Sequence, residues 1–170
     1  MADPHIGMVS FQDALRKGSL KLGPVAGHAD LFSHFDMPAP GEGRLTFVRL
    51  ADDRRTVRAF LSCLWNGEVE GCPCMAVGYA VPMDLRNQGL AKRILQDVIS
   101  EQAAQAGKRG LSAIYVEAVI DAGNIPSQRV AEAVLKVERE SLTDEASGRP
   151  AYRYTKRVDC QPTEPAERGS

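Results

Sequence analysis

The stretch RNQGLAKRIL, Arg86–Leu95, sits where an apolar run ends and a helical pattern begins. Before it, CMAVGYAV (Cys74–Val81) is almost continuously apolar, as expected of a strand buried on both faces. After it, Ala91, Ile94, Leu95, Val98 and Ile99 recur at helical spacing, and Gly107 reads as the helix stop. The first amides of such a helix lack intrahelical acceptors, and the helix dipole adds partial positive charge there. Gly89 has no Cβ to hold a ligand away, and Arg86 adds a full charge. Together these features describe a seat for an anion such as a pyrophosphate. The plainer alternative is that Gly89 only turns the chain and Arg86 is solvated. The spacing is neither that of a P-loop nor G-x-G-x-x-G.

To the N-terminal side, RLTFVRL (Arg44–Leu50) and TVRAFLSCLW (Thr56–Trp65) read as strands. Asn66-Gly67 reads as the hairpin turn before the Cys74–Val81 strand. Three strands joined by short turns imply an antiparallel meander. To the C-terminal side, SAIYVEAVI (Ser112–Ile120) reads as a strand, and SQRVAEAVLKV reads as a helix with Pro126 in its first turn. The segment RESLTDEASGRPAYRYTKRV reads as two strands around a turn. In residues 1–40, FQDALRKG and GHADLFSHF read as short helices and DMPAPGEG as a loop. The expected order is helices-β-β-β-α-β-α-β-β. The content is α/β and the expected arrangement is α+β, a mixed, mostly antiparallel central sheet with flanking helices. One domain spans 1–158, with a helical part over 1–40 and a flexible tail over 159–170.

A formal net charge of -1 over 170 residues gives no electrostatic case for nucleic acid. No apolar stretch approaches a membrane span, and MADPHIGMVSFQ lacks the pattern of a signal peptide. Four cysteines are too few for a disulfide framework in a chain this long. Cys72 and Cys74 form C-x-C with no second pair. A zinc site using them with His28 or His34 is the minor alternative to reduced thiols, and no metal is expected. A cytoplasmic setting follows as an expectation.

Arg86-Asn87-Gln88-Gly89-Leu90-Ala91 resembles the Q/R-x-x-G-x-G/A pattern of the GNAT superfamily of N-acetyltransferases. A second stretch, VEAVIDAGNIPSQRVAEAVL (Val116–Leu135), is similar to that superfamily's later motif, closest to the RimJ/RimL-like N-terminal acetyltransferases. Glu117, Ala118, Asp121, Asn124, Ser127, Arg129, Val130 and Glu132 carry this second resemblance, which in all covers about Arg44 to Val158. It implies a GNAT-like fold and acetyl-CoA as acetyl donor. It implies that backbone amides of Arg86, Asn87, Gln88, Gly89, Leu90 and Ala91 hold the pyrophosphate. It assigns the amides around Tyr79, Ala80 and Val81 to the carbonyl's developing charge.

Glu117 is the candidate base or water-positioner, against the alternative of an outward carboxylate on a strand. Ser127 is the candidate to assist the leaving thiolate or contact the coenzyme, against a helix-cap serine. Asn124 is the candidate contact to the pantetheine arm, and an N-cap in either case. Tyr152 and Tyr154 are weaker candidates for the acceptor site. Two departures stand out. Ala131 occupies the position where many relatives carry a tyrosine acid, and AVLKVERES lacks their Gly-Phe pair. The expected activity is acetyl transfer to a primary amine of a protein N-terminus or small molecule. The alternatives are a degenerate acyl-CoA-binding or protein-interaction module of the same fold, and an unrelated α+β domain. A homodimer fits the resemblance.

Overall fold

The computed structural model describes residues 3–161. Helix α1 (Pro4–Arg16) starts where the Asp3 side chain accepts a hydrogen bond from the His5 amide at 2.9 Å, with Pro4 in the first turn. Both are helix-start devices. They make the helix longer than the apolar pattern of FQDALRKG suggested.

The second expected helix is a correction. GHADLFSHF instead leads into strand β2 (Leu31–Ala39), preceded by the two-residue strand β1 (Gly23–Pro24). Strand β2 pairs with β3 (Glu42–Leu50), placing Phe32 opposite Val48 and His34 opposite Thr46. Apolar residues in this segment are too closely spaced to separate a period of two from one of 3.6. Pairing with β3 satisfies its backbone and buries Leu31 completely. The expected loop DMPAPGEG shrinks to a turn at Pro40–Gly41.

Strands β4 (Val57–Val69) and β5 (Cys72–Ala80) complete the meander. Here too a turn moves. Gly67, at φ +69°, lies inside β4, where the register with β5 shifts between Trp65 and Glu68. The chain reverses at Glu70–Gly71, both at positive φ, as a two-residue hairpin turn demands. Asn66-Gly67 therefore makes a bulge rather than the turn.

Helix α2 (Leu90–Lys108), strand β6 (Ala113–Asp121), helix α3 (Ile125–Leu135) and strands β7 (Glu140–Thr143) and β8 (Pro150–Asp159) follow. The sheet order is β1-β2-β3-β4-β5-β6-β8-β7, antiparallel throughout except between β5 and β6. This is the mixed, mostly antiparallel class expected, with one helix and two further strands ahead of β3. Helices α2 and α3 cover one face, where Ile94, Leu95, Val98 and Leu135 meet Leu61, Val77 and Val116. Helix α1 covers part of the other, where Met8 and Phe11 meet Val48, Val57 and Phe60. It packs on β4 and β5 and leaves that face of β6 and β8 without a helix. No described helix is long and apolar enough to cross a membrane.

Gly107 does not stop α2. It lies within the helix, and the positive φ that ends the turn belongs to Gly110, at +82°. Gly107 is needed because a Cβ there would collide with the carbonyl oxygen of Gln161. A Gly107→Ala variant should therefore lose about 1–3 kcal/mol to overpacking, despite alanine's better helix propensity. The check is thermal unfolding, with an expected fall of roughly 3–10 °C. Gln161 is there because the packed chain runs past 158. Strand β8 ends at Asp159, and buried Cys160 donates its amide to the Ser112 carbonyl at 2.8 Å. The rest of the expected tail, 162–170, lies outside the described residues.

Candidate active site

Strands β5 and β6 run parallel but pair at only three positions, Cys74 with Tyr115, Met75 with Val116 and Ala76 with Glu117. Beyond Ala76 the two strands continue to Ala80 and Asp121 without pairing to each other. The result is a wedge with its vertex at Ala76 and Glu117. On the β6 side, β5 offers backbone from Val77 onward with no strand partner, and such groups seek another partner. The Tyr79 hydroxyl donates to the Ser127 carbonyl at 2.6 Å, tying β5 to α3 behind the wedge. Burial holds the Tyr79 phenol well above its ordinary pKa, so it keeps its proton.

Above the wedge the chain passes from β5 through Val81 and a short 3-10 turn (Met83–Leu85) to the start of α2. The Arg86 Nε donates back to the Val81 carbonyl at 3.4 Å, which keeps this charge at the end of β5. Asn87 at φ +62° and Gly89 at φ +73° take left-handed conformations on either side of Gln88. Among the described residues the amides of Asn87, Gln88 and Gly89 have no acceptor. The first helical bond runs from the Arg93 amide to the Gly89 carbonyl at 3.1 Å, so Leu90, Ala91 and Lys92 also start the helix with free amides. Gly89 is the N-cap and supplies no side chain. A Cβ on it would meet open space. Its glycine is set by φ, and the space beside it is open for a ligand. The Leu90 side chain is buried in the core and fixes the helix start.

Glu117 projects from the vertex on the face opposite α2 and α3, since its neighbours Val116 and Ala118 belong to the core beneath those helices. Its carboxylate accepts from Asn66 Nδ2 at 2.9 Å and from Thr155 Oγ1 at 3.4 Å, and Arg153 Nε lies 3.6 Å away. The side chain is 15% exposed, mostly desolvated but reachable. None of Asn66, Arg153 or Thr155 was singled out by sequence reasoning. Asn66 carried a signal, its glycine neighbour, which also marks bulges.

Asn124 caps α3, its Oδ1 accepting from the Ser127 amide at 3.2 Å. The Ser127 hydroxyl has no partner among the described residues. Tyr154 is fully buried on the helix face with its hydroxyl 3.3 Å from Glu132 Oε1, and Tyr152 packs beneath the Arg139 guanidinium. Both tyrosines therefore serve the core. Trp65, at 61% exposed, lines a groove of about 720 Å³ with Phe35, Phe47 and Met75, toward the C-terminal end of α2 and away from the wedge. The turn TDEASGRP between β7 and β8 lies at the open end of β6, where Arg149 reaches Asp121 at 3.7 Å. The turn within DMPAPGEG lies at the opposite end of the sheet, because β3 runs parallel to β5 from that turn. His28 sits beside Asp97 and His34 on the Lys21 carbonyl, both away from Cys72 and Cys74. The described residues form no metal-holding group of His, Cys, Asp or Glu.

A model of the acetyltransferase (GNAT) family matches residues 15–135. No curated protein sequence matches the chain. Among solved structures, an aminoglycoside N(6')-acetyltransferase from Legionella pneumophila matches at TM-score 0.52 and 13% identity, covering 70% of this chain and 64% of that one. A ribosomal-protein-S5-alanine acetyltransferase from Vibrio fischeri matches at TM-score 0.51 and 16% identity, covering 66% and 61%. An aminoglycoside acetyltransferase in complex with coenzyme A matches at TM-score 0.51 and 10% identity, covering 66% and 65%. In each case this chain spans less than two thirds of the other's length. At these identities the likeness is one of fold.

Proposed function

Because the chain belongs to the acetyltransferase (GNAT) family, we propose that it moves an acetyl group from acetyl-CoA to a primary amine. The chief support is the alignment of the unpaired edge of β5 with the unpaired amides of 87–91. An extended pantetheine arm needs backbone partners along its length, and a pyrophosphate needs amides at its end. The wedge and the loop offer them in that order. The solved relative with coenzyme A supports the same donor.

The amine nitrogen attacks the thioester carbon as the neutral base. An α-amino group, with a pKa of about 7.7–8.0, offers far more neutral amine at pH 7 than a lysine near 10.4. A protein N-terminus is thus the favoured acceptor class. The amine proton passes to Glu117, directly or through a water, and the new C–N bond forms as amides of Tyr79–Val81 receive the oxyanion. The C–S bond then breaks, its electron pair leaves on sulfur, and the thiolate takes a proton. The Ser127 hydroxyl, uncommitted, would hydrogen-bond the leaving thiolate until it takes its proton from water, and Asn124 holds the helix end that carries Ser127. A reducing compartment such as the cytoplasm fits four unpaired cysteines.

The test is release of thiol from acetyl-CoA with a panel of peptide N-termini, spermidine and kanamycin, with products identified by mass. Wild-type protein should acetylate at least one, and Glu117→Gln should lower kcat by about 10²-fold or more. Tight acetyl-CoA binding with no product from any amine would favour a non-catalytic acyl-CoA-binding module. The alanine at position 131 gives that second reading its one specific support.

A further inference from the structure

Asn66 makes a contact that its place in the chain does not predict. It lies on β4, 51 residues before Glu117 in sequence, and its side chain reaches the Glu117 carboxylate on β6 with β5 between them. The contact is made where β4 bulges. Between Trp65 and Glu68 the β4–β5 register shifts, and Gly67 takes φ +69°. Strand alternation puts Asn66 on the face that Glu117 shares, and Asn66 is the first residue of the register break. Bulges are over-represented beside active sites.

We infer that Asn66 is a positioning residue for acetyl transfer: the β4 bulge holds its amide against Glu117 Oε1 and fixes that carboxylate at the vertex of the β5–β6 wedge. The inference rests on the reading of Glu117 as proton acceptor. Each carboxylate oxygen accepts more than one hydrogen bond, so the amide does not use up Oε1. Thr155 and Arg153 approach the other oxygen from β8. Glu140 on β7 lies behind Arg153 at 3.6 Å, and the Cys74 thiol approaches from β5. Asn66 is the only neutral amide in this set. It orients the carboxylate without adding a charge.

The experiment is a double-mutant cycle on kcat with the best acceptor of the panel, with acetyl-CoA affinity measured in parallel. Asn66→Ala should lower kcat about tenfold in the wild-type background and have no further effect beside Glu117→Gln, because Asn66 acts through that carboxylate. Acetyl-CoA affinity should stay within about twofold in every variant. A residue that merely supports the bulge would lower kcat equally in both backgrounds, and that result, or an unchanged kcat in Asn66→Ala, would overturn the positioning role. Full activity of Glu117→Gln would overturn the reading of Glu117 itself.

Discussion

Replacing Gly89 with glutamate should weaken acetyl-CoA binding by at least about 100-fold, or roughly 2.7 kcal/mol, and leave the protein folded. Two separate facts set this outcome. Gly89 holds φ +73°, which costs a non-glycine residue about 1–2 kcal/mol. A domain with a core of this size tolerates that cost, which should appear as a modest fall in melting temperature. Its side-chain direction is open, with nothing within 4 Å of a Cβ. The carboxylate would therefore project into the space proposed for the pyrophosphate, in front of the free amides of 87–91. Those amides would acquire an internal anion, and the ligand would meet like charge. Gly89→Ala separates the two effects, since it carries the strain without the charge. It should bind more weakly than wild type by no more than about tenfold. Calorimetric titration of the three proteins, with circular dichroism to check the fold, gives the comparison.

The second large effect concerns stability. Arg49 on β3 is a buried guanidinium, 9% exposed, that pairs with Asp30 from the loop before β2 and with Asp97 from α2. Its Nε has no hydrogen-bond partner among the described residues. The two carboxylates are partly exposed, so neither ion pair is a large contributor alone. The asymmetry lies in the arginine. Removing both carboxylates leaves a desolvated cation with nothing to offset it. Asp30→Ala with Asp97→Ala should cost about 3–4 kcal/mol. Arg49→Met, which removes the charge and keeps most of the volume, should cost much less, with two part-exposed carboxylates turning to water. Urea unfolding should rank the double alanine variant well below Arg49→Met. Equal losses would mean that the cluster acts by packing alone.

The parts of the site legible in sequence were those written in local chemistry. Gly89 opens α2 as an N-cap because a left-handed turn between strand and helix strongly favours glycine. Asn124 and Pro126 start α3 by the ordinary capping rules. Where two local rules competed, the tertiary structure chose between them. Asn66-Gly67 suits a hairpin turn and a bulge equally, and Glu70–Gly71 took the turn. Gly107 looked like a helix end because its other role, making room for the Gln161 carbonyl, comes from the far end of the chain. Leu31–Ala39 carried no clear period, and pairing with β3 made it a strand. The surroundings of Glu117 were beyond any local rule. Asn66, Arg153 and Thr155 come from strands that meet only through the sheet order. The wedge itself is likewise a property of pairing, since β5 and β6 each read as ordinary buried strands.

A nitrogen-15 NMR titration of wild-type protein with acetyl-CoA would locate the donor site residue by residue. Saturable shifts should concentrate in the amides of Asn87–Ala91 and of Val77–Val81, with Ser127 following, and the groove around Phe35 and Trp65 should stay still. No saturable shifts, or shifts confined to that groove, would contradict the proposed site and return Gly89 to the role of a turn.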